Sequence, residues 1–184
     1  MKNFINQYTR DLSFAIKNLD HQLLQKVADN IVVAKDNNKT IYLMGNGGSS
    51  ATPSHSAGDW SKELGVRTIC LTDNIPVLTA FANDTDYSNI FKGQLEIFLQ
   101  PGDIVIGYSG SGNSENVINA IDYANLCKNL TIGVTGNYNN KAGGKLKQSA
   151  KICIFIDTKS MEIIEDGQLI VNHMLKEYIK TLNE

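Results

Sequence analysis

Two short stretches of this sequence have the make-up of an anion cradle. "GNGGSS" at residues 45–50 follows the apolar run "TIYLM", and "SGSGNS" at 109–114 closes the run "DIVIGYS". Glycines let a backbone approach an anion closely, and serine hydroxyls donate hydrogen bonds. A helix starting just behind adds unpaired N–H groups and a partial positive charge. In the second loop Ser109, Ser111 and Ser114, spaced around Gly110, can all donate to one tetrahedral group, so this loop is the phosphate candidate. Asn46, Gly47 and Gly48 of the first loop are then placed to grip the polar body attached to the phosphate. Neither loop follows the dinucleotide pattern G-x-G-x-x-G or the Walker pattern ending in Gly-Lys-Ser/Thr, so no nucleotide cofactor is expected. A lone Gly/Ser loop is as often a tight strand-to-helix turn with a serine cap. Two at equivalent places in one sheet argue for a ligand.

Four titratable side chains could act beside such a cradle. His55 and Asp59 are four residues apart and share a face if their segment is helical. Glu165 and His173 are eight apart, close to one face after two turns. Two histidines and two carboxylates suit zinc, and the same groups can move protons without a metal. The bland alternatives are a weak surface ion pair for His55/Asp59, a solvated Glu165 and a packed His173. Asn83–Asp84 reads as a helix cap and His21 as structural.

These groups need a frame, and the hydrophobic pattern supplies one. Residues 1–38 carry apolar positions at helical spacing and read as two helices broken near Asp20. Beyond them lie five β-rich runs, at 40–44, 67–72, 103–109, 130–135 and 151–156, alternating with helical stretches at 50–64, 75–83, 89–99, 114–127, 141–150 and 162–182. Pro53 should delay the first of these helices or sit in its first turn. The expected architecture is α/β: a three-layer α/β/α sandwich of flavodoxin-like type, with a five-stranded parallel sheet and an N-terminal helical hairpin. Residues 1–184 form a single domain, with 1–38 as N-terminal helices and 39–184 as core. Ligands in such sheets collect beyond the carboxyl ends of the strands, where both Gly/Ser loops fall.

With 184 residues and a formal net charge of −2, the chain is long enough for one buried core and has no electrostatic bias toward nucleic acid or an anionic membrane. No apolar run approaches a membrane span, and the amino terminus carries Arg10 and Asp11 where a signal peptide needs an apolar stretch. A cytoplasmic protein is expected, with Cys70, Cys127 and Cys153 as reduced thiols. The N-terminal hairpin and the long C-terminal helix cannot both hide their apolar faces on a compact sandwich, so self-association is expected.

The ordered set "GNGGSSATPSHSAGDW", "AFANDTDYSNIF", "GDIVIGYSGSGNSENVINAI", "TIGVTG" with "GGKL", and "EDGQLIVNHML" resembles the phosphoheptose (sedoheptulose 7-phosphate) isomerases of the sugar isomerase, or SIS, domain superfamily. The likeness covers nearly the whole chain. It implies interconversion of an aldose and a ketose phosphate through an enediol, yielding a heptose 7-phosphate such as D-glycero-D-manno-heptose 7-phosphate for surface polysaccharide. By resemblance, His55 is a zinc ligand, Asp59 both ligand and base, Glu165 a metal and substrate contact, and His173 a ligand and acid. Asn83 and Asp84 would meet sugar hydroxyls, and the enzyme would be a homotetramer with active sites between subunits. The chain departs from the family pattern at Asp59, where the family has Glu, and at Glu165, where it has Gln; either carboxylate is then a candidate base. The segment "WSKELGVRTICL" is also shorter than in the enterobacterial-type enzymes, which carry basic residues there, and its one arginine is Arg67. Two other readings remain open: a non-catalytic SIS module that binds a phosphosugar or protein partner, and an isomerase or aldol-type enzyme for another phosphosugar.

Overall fold

The computed structural model describes residues 1–182. Helices α1 (Lys2–Lys17) and α2 (His21–Asp36) form the N-terminal hairpin. Asp20 starts α2 by accepting hydrogen bonds from the Gln22 and Leu23 amides, which satisfies donors that a helix start leaves unpaired. The order that follows is β1 (Thr40–Met44), α3 (Gly48–Asp59), β2 (Arg67–Cys70), α4 (Ile75–Asp84), α5 (Lys92–Phe98), β3 (Ile104–Ser109), α6 (Glu115–Leu126), β4 (Leu130–Gly136), α7 (Gly144–Ser149), β5 (Ile152–Ile156) and α8 (Met161–Thr181).

All five strands pair in parallel, in the order β2-β1-β3-β4-β5. This is the expected three-layer α/β sandwich. Alternate strand residues feed two cores. Ile41 and Leu43 join Ile104, Ile106 and Tyr108 under the layer of α1, α2, α3 and α8. Tyr42, Met44 and Val105 face the opposite layer, with Val117, Ile121 and Leu146. The sheet is therefore apolar on both faces, and its strands read as near-continuous apolar runs.

The strand order has a direct consequence for function. The chain leaves β1 toward β2 on one side and returns to β3 on the other, so the winding reverses between β1 and β3. Met44 lies beside Gly107 in their register, and the two Gly/Ser loops leave from these neighbouring strand ends. A crevice at this reversal is where such sheets bind ligands.

Several boundaries differ from the sequence expectation, each for a local reason. α3 begins at Gly48, so Pro53 is neither its start nor its first turn but lies inside the helix. Proline has no N–H to give the Ser49 carbonyl, and that oxygen packs against Gly45, where a Cβ would come within 2.0 Å of it. The stretch expected as one helix over 50–64 changes at Trp60 to a π-helical turn, Trp60–Leu64, and ends at left-handed Gly65. β2 is shorter than expected, although the Leu71 amide still donates to the Leu43 carbonyl. α5 and α7 are also shorter, each preceded by a 3-10 turn, at Tyr87–Asn89 and Tyr138–Asn140. The three thiols are free; Cys70 is buried, whereas Cys127 is exposed.

Candidate active site

The serine loop is built by β3 and α6. Ser109 ends the strand, and its hydroxyl lies 2.9 Å from that of Ser114, the residue that starts α6. Ser114 therefore spends its side chain within the loop, and no side chain caps the helix. The Val117 amide is taken by the Ser114 carbonyl and Asn116 Oδ1, which leaves the Glu115 and Asn116 amides at the start of α6 as donors for an anion. Gly112 makes the turn at φ +65°, and a Cβ there would sit 1.8 Å from the Gly143 carbonyl oxygen, so only glycine fits.

Ser109, Ser111 and Ser114 line a cavity of about 130 Å³ that also receives Asn46, Ser49 and Glu165. The first loop and the first turn of α8 thus meet the serine loop directly. Glu165 reaches the cavity because Gly48 has no side chain: a Cβ at 48 would lie 2.2 Å from Glu165 Oε2. Burial pushes the Glu165 carboxyl above its ordinary value, and the neighbouring Glu162 and Asp166 add to the rise. A carboxyl so placed exchanges protons closer to neutrality than a solvated one.

A second cluster lies farther along the same two helices. His55 Nε2 and His173 Nε2 face each other at 3.1 Å, and Asp59 Oδ2 is 3.5 Å from the first and 3.9 Å from the second. A tetrahedral zinc ion with bonds near 2.0–2.1 Å sets its ligand atoms about 3.3–3.4 Å apart, so the trio fits such an ion with a fourth position open. Lys176 Nζ donates to the same Asp59 oxygen at 2.9 Å and to Glu63 at 3.2 Å. Glu63 also pairs with Lys180 at 3.1 Å. The Lys176 hydrogen bond holds the Asp59 carboxyl below its ordinary value against the opposing effect of burial. Asp59 is in consequence a fixed anion and a weak base.

Glu165 does not join this trio. The four-ligand set expected from the sequence assumed that residues eight apart on a helix converge, but eight residues rise about 12 Å. α3 and α8 run side by side in the same direction, with Gly48 beside Glu165, Ser56 hydrogen-bonded to Asn172 and Asp59 to Lys176. One helix face holds both groups, at different heights. Between them lies a buried polar seam in which Asn172 accepts from the Tyr108 hydroxyl at 2.9 Å and donates to Ser56 Oγ at 2.7 Å.

Asn83 and Asp84 also fall outside the cavity. They hydrogen-bond to each other at 2.8 Å at the end of α4, a helix with no buried residue. Asn46 enters the cavity wall, with its amide engaged by Asn116 and Tyr87. Asn116, Tyr87 and Asn172 lie within the stretches quoted above and Lys176 directly follows the last of them, but the sequence reading gave none of the four a role. The one available signal for Lys176 was its place on the helix face of Asn172 and His173, four and three residues earlier.

Comparisons with known proteins give the family. The SIS domain family model matches residues 3–136. A probable phosphoheptose isomerase from Thermoplasma volcanium is 33% identical, covering 93% of this chain and 88% of that protein. The phosphoheptose isomerase of Aquifex aeolicus is 35% identical, covering 94% and 91%. Among solved structures, a phosphoheptose isomerase from Neisseria gonorrhoeae superposes with a TM-score of 0.89 at 25% identity, covering 98% of this chain and 96% of that one. With the SIS model spanning most of its length and relatives this similar along nearly all of it, the chain belongs to the phosphoheptose isomerases of the SIS domain family.

Proposed function

We propose that this protein is an aldose–ketose isomerase that converts sedoheptulose 7-phosphate into D-glycero-D-manno-heptose 7-phosphate. The observation that carries this reading is a cavity lined by three serines at the start of a helix, at the point where the sheet reverses, with a partly buried carboxyl opening into it. The relatives named above, isomerases over nearly their whole length, support the same substrate.

In this reading Ser109, Ser111 and Ser114 hold the phosphate against the start of α6, and Asn46 with Gly47 and Gly48 orients the sugar. Glu165 takes the proton from the carbon beside the carbonyl and returns it to the neighbouring carbon. Of the two candidate carboxylates it suits this work better, since Lys176 holds Asp59 ionised and weakly basic. His173 donates to the sugar oxygen as negative charge develops there. Zinc held by His55, Asp59 and His173 would supply Lewis-acid polarisation of a sugar oxygen.

Within one chain the trio and the serine cavity sit about 12 Å apart along α8. A homotetramer with active sites between subunits, in which one chain's trio serves another's cavity, brings them together. We place the enzyme in the cytoplasm, supplying heptose for surface polysaccharide.

A direct assay with sedoheptulose 7-phosphate, with and without a chelator, tests the reading. Turnover that falls on chelation and returns with zinc is expected. Absence of turnover by folded, zinc-loaded protein overturns it in favour of a binding module or another phosphosugar.

A further inference from the structure

Asn46 is held more tightly than a side chain that only waits for substrate. Its Nδ2 donates to Asn116 Oδ1 at 2.9 Å, and its Oδ1 accepts from Asn116 Nδ2 at 2.8 Å and from the Tyr87 hydroxyl at 3.0 Å. The Asn46 oxygen is thereby saturated, and one N–H remains for a ligand. Asn116 is buried in the first turn of α6 and accepts from the Val117 amide at 3.0 Å, so its own orientation is fixed. Tyr87 comes from a third segment, the 3-10 turn after α4, which Asn119 of α6 holds by a bond to the Ser88 carbonyl at 3.2 Å.

We infer that Asn116 and Tyr87 are positioning residues that lock Asn46 between the starts of α3 and α6, so that the phosphate loop and the sugar-facing loop act as one rigid unit. The inference deepens the phosphosugar reading and rests on it. Asn46 and Ser114 line both the serine cavity and a neighbouring cleft of about 370 Å³ that also contains Tyr87 and Asn116. The three-residue latch therefore forms the wall between them. A phosphate bound at the start of α6 fixes the helix that carries Asn116, and through the amide pair it fixes the one free N–H of Asn46. α4 packs only partly buried residues, Leu78, Phe81 and Ala82, against the second core, and the Tyr87 and Ser88 bonds tie its following turn to Asn46 and α6.

The test is a double-mutant cycle of Y87F and N46A, with N116D as a third variant. Affinities for sedoheptulose 7-phosphate and inorganic phosphate are measured by calorimetry, with kcat and KM alongside. Loss of one hydrogen bond predicts that Y87F lowers kcat about threefold to tenfold and leaves inorganic phosphate affinity within about twofold. In the N46A background Y87F should cost nothing further. N116D removes the donor and faces the Asn46 oxygen with an anion, so its loss should exceed that of Y87F. An equal Y87F effect with and without Asn46, or none in either, overturns the inference. Should wild-type protein bind sedoheptulose 7-phosphate without turning it over, the isomerase reading fails and the cycle is read in the affinities. Should it bind neither ligand, the cycle is read in ligand-free protein, as an Asn116 side-chain NH₂ resonance that Y87F shifts only when Asn46 is present.

Discussion

Glu165 and Asp59 show how two carboxylates in one protein acquire different chemistry. Asp59 donates nothing and accepts from Lys176, a lysine only 11% exposed at its side chain, so the ionised form is favoured. Glu165 has two acidic neighbours on its own helix and a partly buried carboxyl, so the neutral form gains. E165Q should therefore reduce kcat by about 10²- to 10⁴-fold while inorganic phosphate still binds, whereas a binding module would lose nothing measurable. The sign of the pH dependence follows. A base works deprotonated, so kcat/KM should fall as pH drops through the raised Glu165 value, above the range of an ordinary glutamate. An acidic limb at or below that range would move the base to another residue. K176M leaves Asp59 and Glu63 without their shared cation and should destabilise the fold by about 1–3 kcal/mol, between exposed and buried pairs, as read by urea denaturation.

At the scale of elements, the contact between α3 and α8 decides where each functional group stands. At Gly48 the two helices approach closely, and the three atoms nearest to a Cβ there all belong to the flexible end of Glu165. G48A should accordingly push the carboxylate aside: activity falls more than about tenfold with a Tm change of only a few degrees. The opposite pattern, a large drop in Tm with specific activity retained, would mean that Gly48 serves packing alone. Gln168 lies fully buried in α8 between these groups, and neither atom of its amide has a hydrogen-bond partner among the described residues. Burying an unpaired amide costs stability, so the near-isosteric Q168M should raise stability by about 1 kcal/mol in denaturant titration.

For the molecule as a whole, one set of exposed apolar side chains lies on α1 and α8, which pack on the same side of the sheet. Phe4, Ile5 and Phe14 of α1 are 67%, 51% and 66% exposed, and Met174 and Tyr178 of α8 are also uncovered. Such faces are ordinarily covered in an assembly. Size-exclusion chromatography with light scattering should show a mass that is a multiple of the 20.2 kDa chain. A monomer would leave the trio and the serine cavity in separate places and remove the intersubunit site.

The chain's own pattern determined the α/β architecture, because apolar periodicity near two and near 3.6 is local and each run announces its element within a few residues. It also marked both Gly/Ser loops and the His55/Asp59 pair, whose four-residue spacing is short enough for helix geometry to fix. Only the tertiary structure decided which strands adjoin and so brought the loops together. It alone set the parallel run of α3 and α8 that puts His173 beside His55 and Glu165 beside Gly48. The pairings of Lys176 with Asp59 and of Asn116 with Asn46 join residues 117 and 70 positions apart. Contacts at that distance depend on how whole elements pack, and no spacing rule within one helix or strand reports them.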